Sequence, residues 1–204
     1  MIRLRKWILG VLVVITVTPI IALLTWYVAF FLPHLNELKA QAKYGQEIVR
    51  PVKEALYPLA IAAEGEKGIR IGAIRDAYWS VLSRNNVPAV RRHINEWLWM
   101  LVSYIHFDER EIFGIWANCA LLGCDKGLPE AARKYYGKAI TEMSQRELAG
   151  LVALIKSPTA FAPGSKRSEK RIEVILEEIK PHNSSLNRDP QQQVAASRRL
   201  LWAC

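Results

Sequence analysis

Gly127-Leu128-Pro129-Glu130-Ala131-Ala132-Arg133-Lys134-Tyr135-Tyr136-Gly137-Lys138 is followed by Met143-Ser144-Gln145-Arg146-Glu147-Leu148-Ala149, then by Ser157-Pro158-Thr159-Ala160-Phe161-Ala162-Pro163. These residues read as a short helix, a turn and a second helix with marked boundaries. Pro129 suits a first helical turn, and Gly137 suits a left-handed C-terminal cap. Ser144 and Glu147 form a capping box ahead of the apolar run from Leu148 to Ile155. Pro158 then stops the second helix.

Upstream, nearly every segment reads as helix. Residues 35–63 give two short amphipathic stretches broken at Pro51. Residues 69–84 place Ile74, Ala77, Tyr78, Val81 and Leu82 on one face, and Asn85-Asn86-Val87-Pro88 marks a turn. From 90 to 106, Ile94, Trp97, Leu98, Leu101, Val102 and Ile105 make a stripe at helical spacing, the pattern of a core-facing side. Asp108 and Glu111 start a further helix that runs to about Leu122. It is apolar on several faces, which predicts the buried central helix. Residues 168–180 give a last amphipathic helix through Ile172, Ile175, Leu176 and Ile179. No segment alternates convincingly as a strand, so the fold class is all-α.

The segment from about 108 to 163 resembles the C-terminal signature of family-51 glycosyltransferases, the peptidoglycan-polymerising domains of penicillin-binding proteins and monofunctional transglycosylases. Ala131-Ala132, Tyr135-Tyr136, Gly137-Lys138, Ser144/Glu147 and Pro158-x-x-Phe161-x-Pro163 carry the likeness. Glu111-Ile112-Phe113 and Trp116-Ala117-Asn118 ahead of Leu122-Gly123 extend it. The resemblance implies a lysozyme-like helical domain and a polyprenyl-diphosphate glycan (lipid II) as substrate. It also implies work beside other cell-wall synthesis proteins.

Residues 7–32 carry no charged side chain. As a helix they would span ~39 Å, more than the ~30 Å hydrocarbon core, so a tilted transmembrane anchor fits. The segment is too long for a cleaved signal peptide, and Val28-Ala29-Phe30 offers no small-x-small cleavage site. Arg3, Arg5 and Lys6 precede it without an acidic residue, which predicts a cytoplasmic N-terminus and an outward-facing, periplasmic domain in a bacterial inner membrane. The chain of 204 residues then divides into a basic stub (1–6), anchor (7–32), stalk (33–50), transglycosylase-like domain (51–180) and polar tail (181–204). Net charge is +9, and setting aside the three basic residues of the stub leaves +6. An outward-facing domain seldom meets nucleic acid, so the charge points to anionic lipid or a diphosphate, or simply to solvated lysines and arginines. Cys119, Cys124 and Cys204 leave at least one thiol unpaired, and Cys119 fits a buried apolar position.

Glycosyl transfer needs a base for the acceptor hydroxyl and cationic or polar groups for the departing diphosphate. The family's base is the Glu of a Glu-Asp-x-x-Phe-x-x-His-x-Gly segment at a helix end. Ala62-Ala63-Glu64-Gly65-Glu66-Lys67 occupies that place, making Glu64 the candidate base, with Gly65 where the Asp belongs and no Phe or His. The bland reading is a solvated carboxylate at a helix end. The family's Arg-Lys-x-x-Glu is matched by Arg92-His93-Ile94-Asn95-Glu96. Glu96 lies about 200° from Ile94, away from the apolar stripe. Trp99 and Met100 flank Glu96 on that expected wet side. Arg92 and Glu96 could also be a plain ion pair four residues apart. The resemblance adds Asn118 and Lys138 as substrate-binding candidates. No cofactor is required; a divalent cation such as Mg²⁺ is implied by the family alone, since the sequence shows no ligand cluster.

One family segment, Gly-x-Ser-Thr-Ile-Thr-Gln-Gln, has no counterpart here, and only 31 residues separate Glu64 from Glu96. Positioning contributes ~7–11 kcal/mol to a catalysed reaction, whereas a general base contributes ~10²–10⁴-fold. The missing lobe therefore weighs more than any single substitution. Two functions follow: a membrane-anchored peptidoglycan glycosyltransferase with a reduced lobe, or a non-catalytic relative that binds envelope proteins or lipid-linked precursor. Glycan cleavage ranks third, because no second carboxylate pairs evidently with Glu64.

Overall fold

The structure, a computed structural model, describes residues 2–82, 89–124 and 126–186. The expected turn at 85–88, the tail beyond 186 and Cys204 lie outside them. Eight α-helices are described: α1 (Ile2–Trp26), α2 (Leu35–Val49), α3 (Lys53–Leu82), α4 (Ala89–His106), α5 (Glu109–Cys119), α6 (Gly127–Tyr136), α7 (Gln145–Lys156) and α8 (Lys166–Leu186). There is no strand among the described residues, so the chain is all-α.

α1 is long and apolar enough to cross a membrane, and its side chains from Val11 to Leu24 are largely exposed. Pro19 sits within it, and the Thr16 and Thr25 hydroxyls donate to carbonyls one turn back. The helix does not stop at Trp26. It loosens into a π-helical turn over Tyr27–Phe31 and a 3-10 turn over Leu32–His34, then continues as α2.

α5 is the central helix, with every residue from Ile112 to Cys119 buried, as its apolar faces predict. It ends at Cys119 rather than Leu122. α2 crosses it at a pair of glycines. A Cβ on Gly45 would lie 1.9 Å from the Gly114 carbonyl oxygen, and one on Gly114 would lie 2.2 Å from that of Ala42. Only glycine allows backbones this close. α2, which occupies the expected stalk, thus buries Leu38, Ala42 and Val49 in the same core as α5.

The local signals behave as read. Asp108 and Glu111 close a capping box on α5, and Ser144 and Glu147 close one on α7. Gly137 caps α6 at φ 66°. Leu148 to Leu154 of α7 are all buried, against α3 and α8. α8 buries Ile172, Ile175 and Ile179 and remains helical to Leu186, past Pro181.

α4 departs from expectation. Four of the six stripe residues face outward, with Ile94 55%, Trp97 71%, Leu101 59% and Ile105 80% exposed; Leu98 is half-buried, Val102 packs on the core, and Trp99 and Ser103 are fully buried. The reason is aromatic. Trp99 packs edge-on against both Phe31 and Tyr78, at 5.3 Å between ring centroids in each case, and beside His34. A ring enclosed by aromatic partners gains large contact area and favourable quadrupole geometry.

Cys119 and Cys124 are joined by a disulfide, so Cys119 is buried as expected but is not a lone apolar group. The bond closes the corner between α5 and α6, where Leu121 holds φ 73° and Gly123 φ 86°.

Candidate active site

Glu64 ends the first segment of α3. The next residue, Gly65, adopts φ 69° and ψ 163°, a backbone region open essentially to glycine alone, and the helix kinks there. Glu64 is half-buried, and its carboxyl lies along the following turn above Gly68. A Cβ on that glycine would sit 3.7 Å from Glu64 Oε2. α8 braces the kink, because Arg171 Nη2 donates to the Ala63 carbonyl at 2.7 Å.

Directly beyond the kink lies a cavity of about 270 Å³ lined by Tyr57, Glu66, Lys67, Arg70, Tyr104 and Glu109 over an apolar floor of Ile112 and Phe113. Burial, reinforced by Glu109 and Glu66, pushes the Tyr57 phenol above its ordinary pKa, so it remains a hydrogen-bond donor at neutral pH. Arg70 bridges to α4: its Nη1 donates to the Ser103 and Phe107 carbonyls at 3.3 and 3.4 Å. Its guanidinium also stacks on Tyr104 at 4.4 Å. The Ser103 carbonyl also accepts from the Phe107 N–H at 3.0 Å, so Arg70 joins the backbone bond that closes the end of α4.

α3 and α4 run antiparallel. Arg70 meets the end of α4, whereas Tyr78 meets its start, with the Tyr78 hydroxyl donating to the Arg92 carbonyl at 3.5 Å. Glu96 therefore lies level with residues near Asp76. It stands about 18 Å along α3 from Glu64, twelve residues at 1.5 Å each. Glu96 is half-buried and accepts from His93 Nδ1 at 3.4 Å. Arg92 does not make the ion pair four residues away; its guanidinium lies 4.8 Å over Trp79, with Nε buried and unpartnered.

The other two candidates sit elsewhere. Asn118 is buried in α5 with Nδ2 lacking a partner. Lys138 Nζ donates to Glu147 Oε1 at 2.6 Å. With Ser144, that lysine holds the Glu147 carboxyl down to about 2. Glu64 and the mixed-charge cavity thus occupy one end of the α3–α4 hairpin, and Arg92 and Glu96 the other. None of the five predicted site residues, Glu64 included, lines the cavity itself; its nearest lining residue in sequence to Glu64 is Glu66.

Sequence reasoning missed Lys67, Arg70 and Glu109. Lys67 and Arg70 stand three apart on one helical face, a usable signal. Glu109 reaches the cavity only through the packing of α5. A second cleft of about 440 Å³ adjoins the disulfide corner and is lined by Arg75, Asp76, Trp79 and Leu121. Burial raises the Asp76 carboxyl there, against the opposing pull of Arg75. Among the described residues, no three His, Cys, Asp or Glu side chains converge as metal ligands. The described residues do not form a cage for the cation the resemblance implies.

Over 72 residues, 34% of this chain, the sequence is 35% identical to penicillin-binding protein 1A of Haemophilus influenzae. That stretch is 8% of the relative's length, so this chain spans a small fraction of it. No solved structure matches. A sequence model of the transglycosylase family matches residues 65–180, more than half of the chain, beginning one residue after Glu64. With an all-α fold whose capped α5–α7 segment carries the signature, this chain belongs to the transglycosylase family.

Proposed function

We propose that this protein is a membrane-anchored peptidoglycan glycosyltransferase acting on lipid II. α1 spans the inner membrane with its basic end in the cytoplasm, and the domain faces the periplasm. Glu64 is the base. It takes the proton of the acceptor sugar hydroxyl as that oxygen bonds to the donor's anomeric carbon. The bond from that carbon to the diphosphate breaks, and the diphosphate leaves with the electron pair. Lys67 and Arg70 supply positive charge from the cavity beyond the kink, and Arg171 does so beside Ala63, whereas Arg92 and Glu96, farther along the hairpin, attend the other lipid-linked diphosphate, that of the acceptor.

The observation that carries this reading is the cavity that opens two residues beyond Glu64, at Glu66, in which carboxylates, cations and two tyrosines converge within a chain of this family. The test is polymerisation of labelled lipid II by the full chain in nanodiscs. Wild type should yield polymer, and Glu64→Gln should lower the rate about 10²–10⁴-fold with lipid II binding retained.

A second reading is favoured by one specific observation. Arg92 is held on Trp79 and Glu96 stands far from Glu64, an arrangement suited to binding a lipid-linked glycan without transferring it. Lipid II bound by wild type with no polymer formed would select this non-catalytic role.

A further inference from the structure

The chain that leaves α1 crosses α4 transversely. Trp26 Nε1 donates to Asn95 Oδ1 at 3.0 Å, and Phe30 lies under Arg91 at 5.7 Å. The adjacent Tyr27 instead shares a 2.9 Å hydrogen bond with His106 Nε2, and Phe31 packs on Trp99 and His106. Neighbouring residues of the anchor therefore reach positions eleven apart on α4, roughly 16 Å at 1.5 Å per residue. That geometry requires the two helix axes to cross steeply. If α1 stands across a bilayer, α4 lies along its surface.

The rotation of α4 is also fixed. Arg92, Trp99 and Ser103 touch α3 and fall within an arc of about 40° at 100° per residue. Val90, Ile94, Trp97, Leu101 and Ile105 fall within about 80°, centred about 180° from the first group. All five are more than half exposed, Val90 at 73%. The apolar face thus points directly away from the folded domain. Val28, Phe30 and Leu32 continue the exposed apolar surface of α1 up to the level of α4. Arg91 and His93 lie exposed at its N-terminal end. An apolar stripe with flanking cations, continuous with a lipid-facing helix, is the pattern of a helix at a membrane interface.

We propose that α4 lies in the plane of the membrane, its Val90–Ile105 face sunk into the boundary between head groups and acyl chains. The domain is thereby held down on the bilayer through α4 as well as through α1. Arg92 and Glu96 are then carried at head-group depth. The inference rests on α1 spanning the membrane.

Spin labels on the full chain test it, in a Cys204→Ser background with the Cys119–Cys124 bond intact. Labels are introduced by Ile94→Cys, Trp97→Cys, Leu101→Cys and Ile105→Cys, with Ile15→Cys in α1 and Glu173→Cys on α8 as references. The protein is placed in nanodiscs of phosphatidylethanolamine and phosphatidylglycerol. Relaxation by oxygen is compared with relaxation by a nickel chelate. The α4 labels should favour oxygen over nickel several-fold more than the Glu173→Cys label, at a shallower depth than the Ile15→Cys label. If they relax like the Glu173→Cys label while the Ile15→Cys label stays deep, this inference fails and the anchor stands. An aqueous Ile15→Cys label sinks both. Shielding of the α4 labels from both reagents would mean that a second copy or another protein covers the face, which also overturns the proposal.

Discussion

The α5–α7 half and the α3–α4 hairpin are built on opposite terms. In α5–α7, each helix starts or ends on a side-chain cap or left-handed glycine, and the long apolar runs are buried. The hairpin kinks at Gly65, leaves Arg92 Nε without a partner and turns five apolar residues outward. Yet the hairpin carries Glu64, Glu96 and most of the cavity. Recognisable sequence is thus concentrated in the capped half and the candidate site in the kinked one, although the capped half has irregular backbone of its own at Leu121 and Gly123 and an unpartnered Asn118 Nδ2.

The largest loss of stability is expected from removing one tryptophan of the α5–α7 half. Trp116 is fully buried and stacks on Phe113 at 5.3 Å. Trp116→Ala should cost about 3–5 kcal/mol, read by thermal unfolding in detergent. Next comes the kink: Gly65→Ala forces a side chain into the glycine-only region, and about 1–3 kcal/mol should be lost. The same variant should lower lipid II turnover, because Glu64 precedes the break.

Smaller again is the α7 cap. Ser144→Ala should cost about 1 kcal/mol. It should also blunt an acid limb. The folded Glu147 carboxyl sits at about 2, below its unfolded value of 4.5, so its stabilisation is present above pH 4.5. That stabilisation is lost as pH falls toward 2, because the unfolded state binds the proton first. A pH series of melting curves should show the loss in wild type and less of it in Ser144→Ala. Least affected should be Trp97→Ala in detergent, within about 0.5 kcal/mol, because that indole lies outside the core. A loss there as large as for Trp116→Ala would erase the contrast between the halves.

What was legible in the sequence follows the same division. Ser144/Glu147, Asp108/Glu111 and Gly137 act within one turn of themselves, so residue identity alone announces them. The burial of α5 was legible because it is apolar all round. α4 was misread because periodicity reveals a stripe without revealing its partner; Trp99, off the stripe, won the interior through Phe31 and Tyr78, residues distant in sequence. The Lys67–Arg70–Glu109 cavity likewise depends on how distant segments meet, whereas the disulfide is local and hinges on the sharp corner after α5 at Leu121 and Gly123. That Glu64 and Glu96 stand at opposite ends of the hairpin could not be read from the 31 intervening residues, because it is set by the antiparallel register of two helices.

Gly65 has one more consequence. The family carries an aspartate after its base, and here the backbone at that position is one an aspartate would strain. Placing that acid here by Gly65→Asp should therefore disturb the turn that carries Glu64.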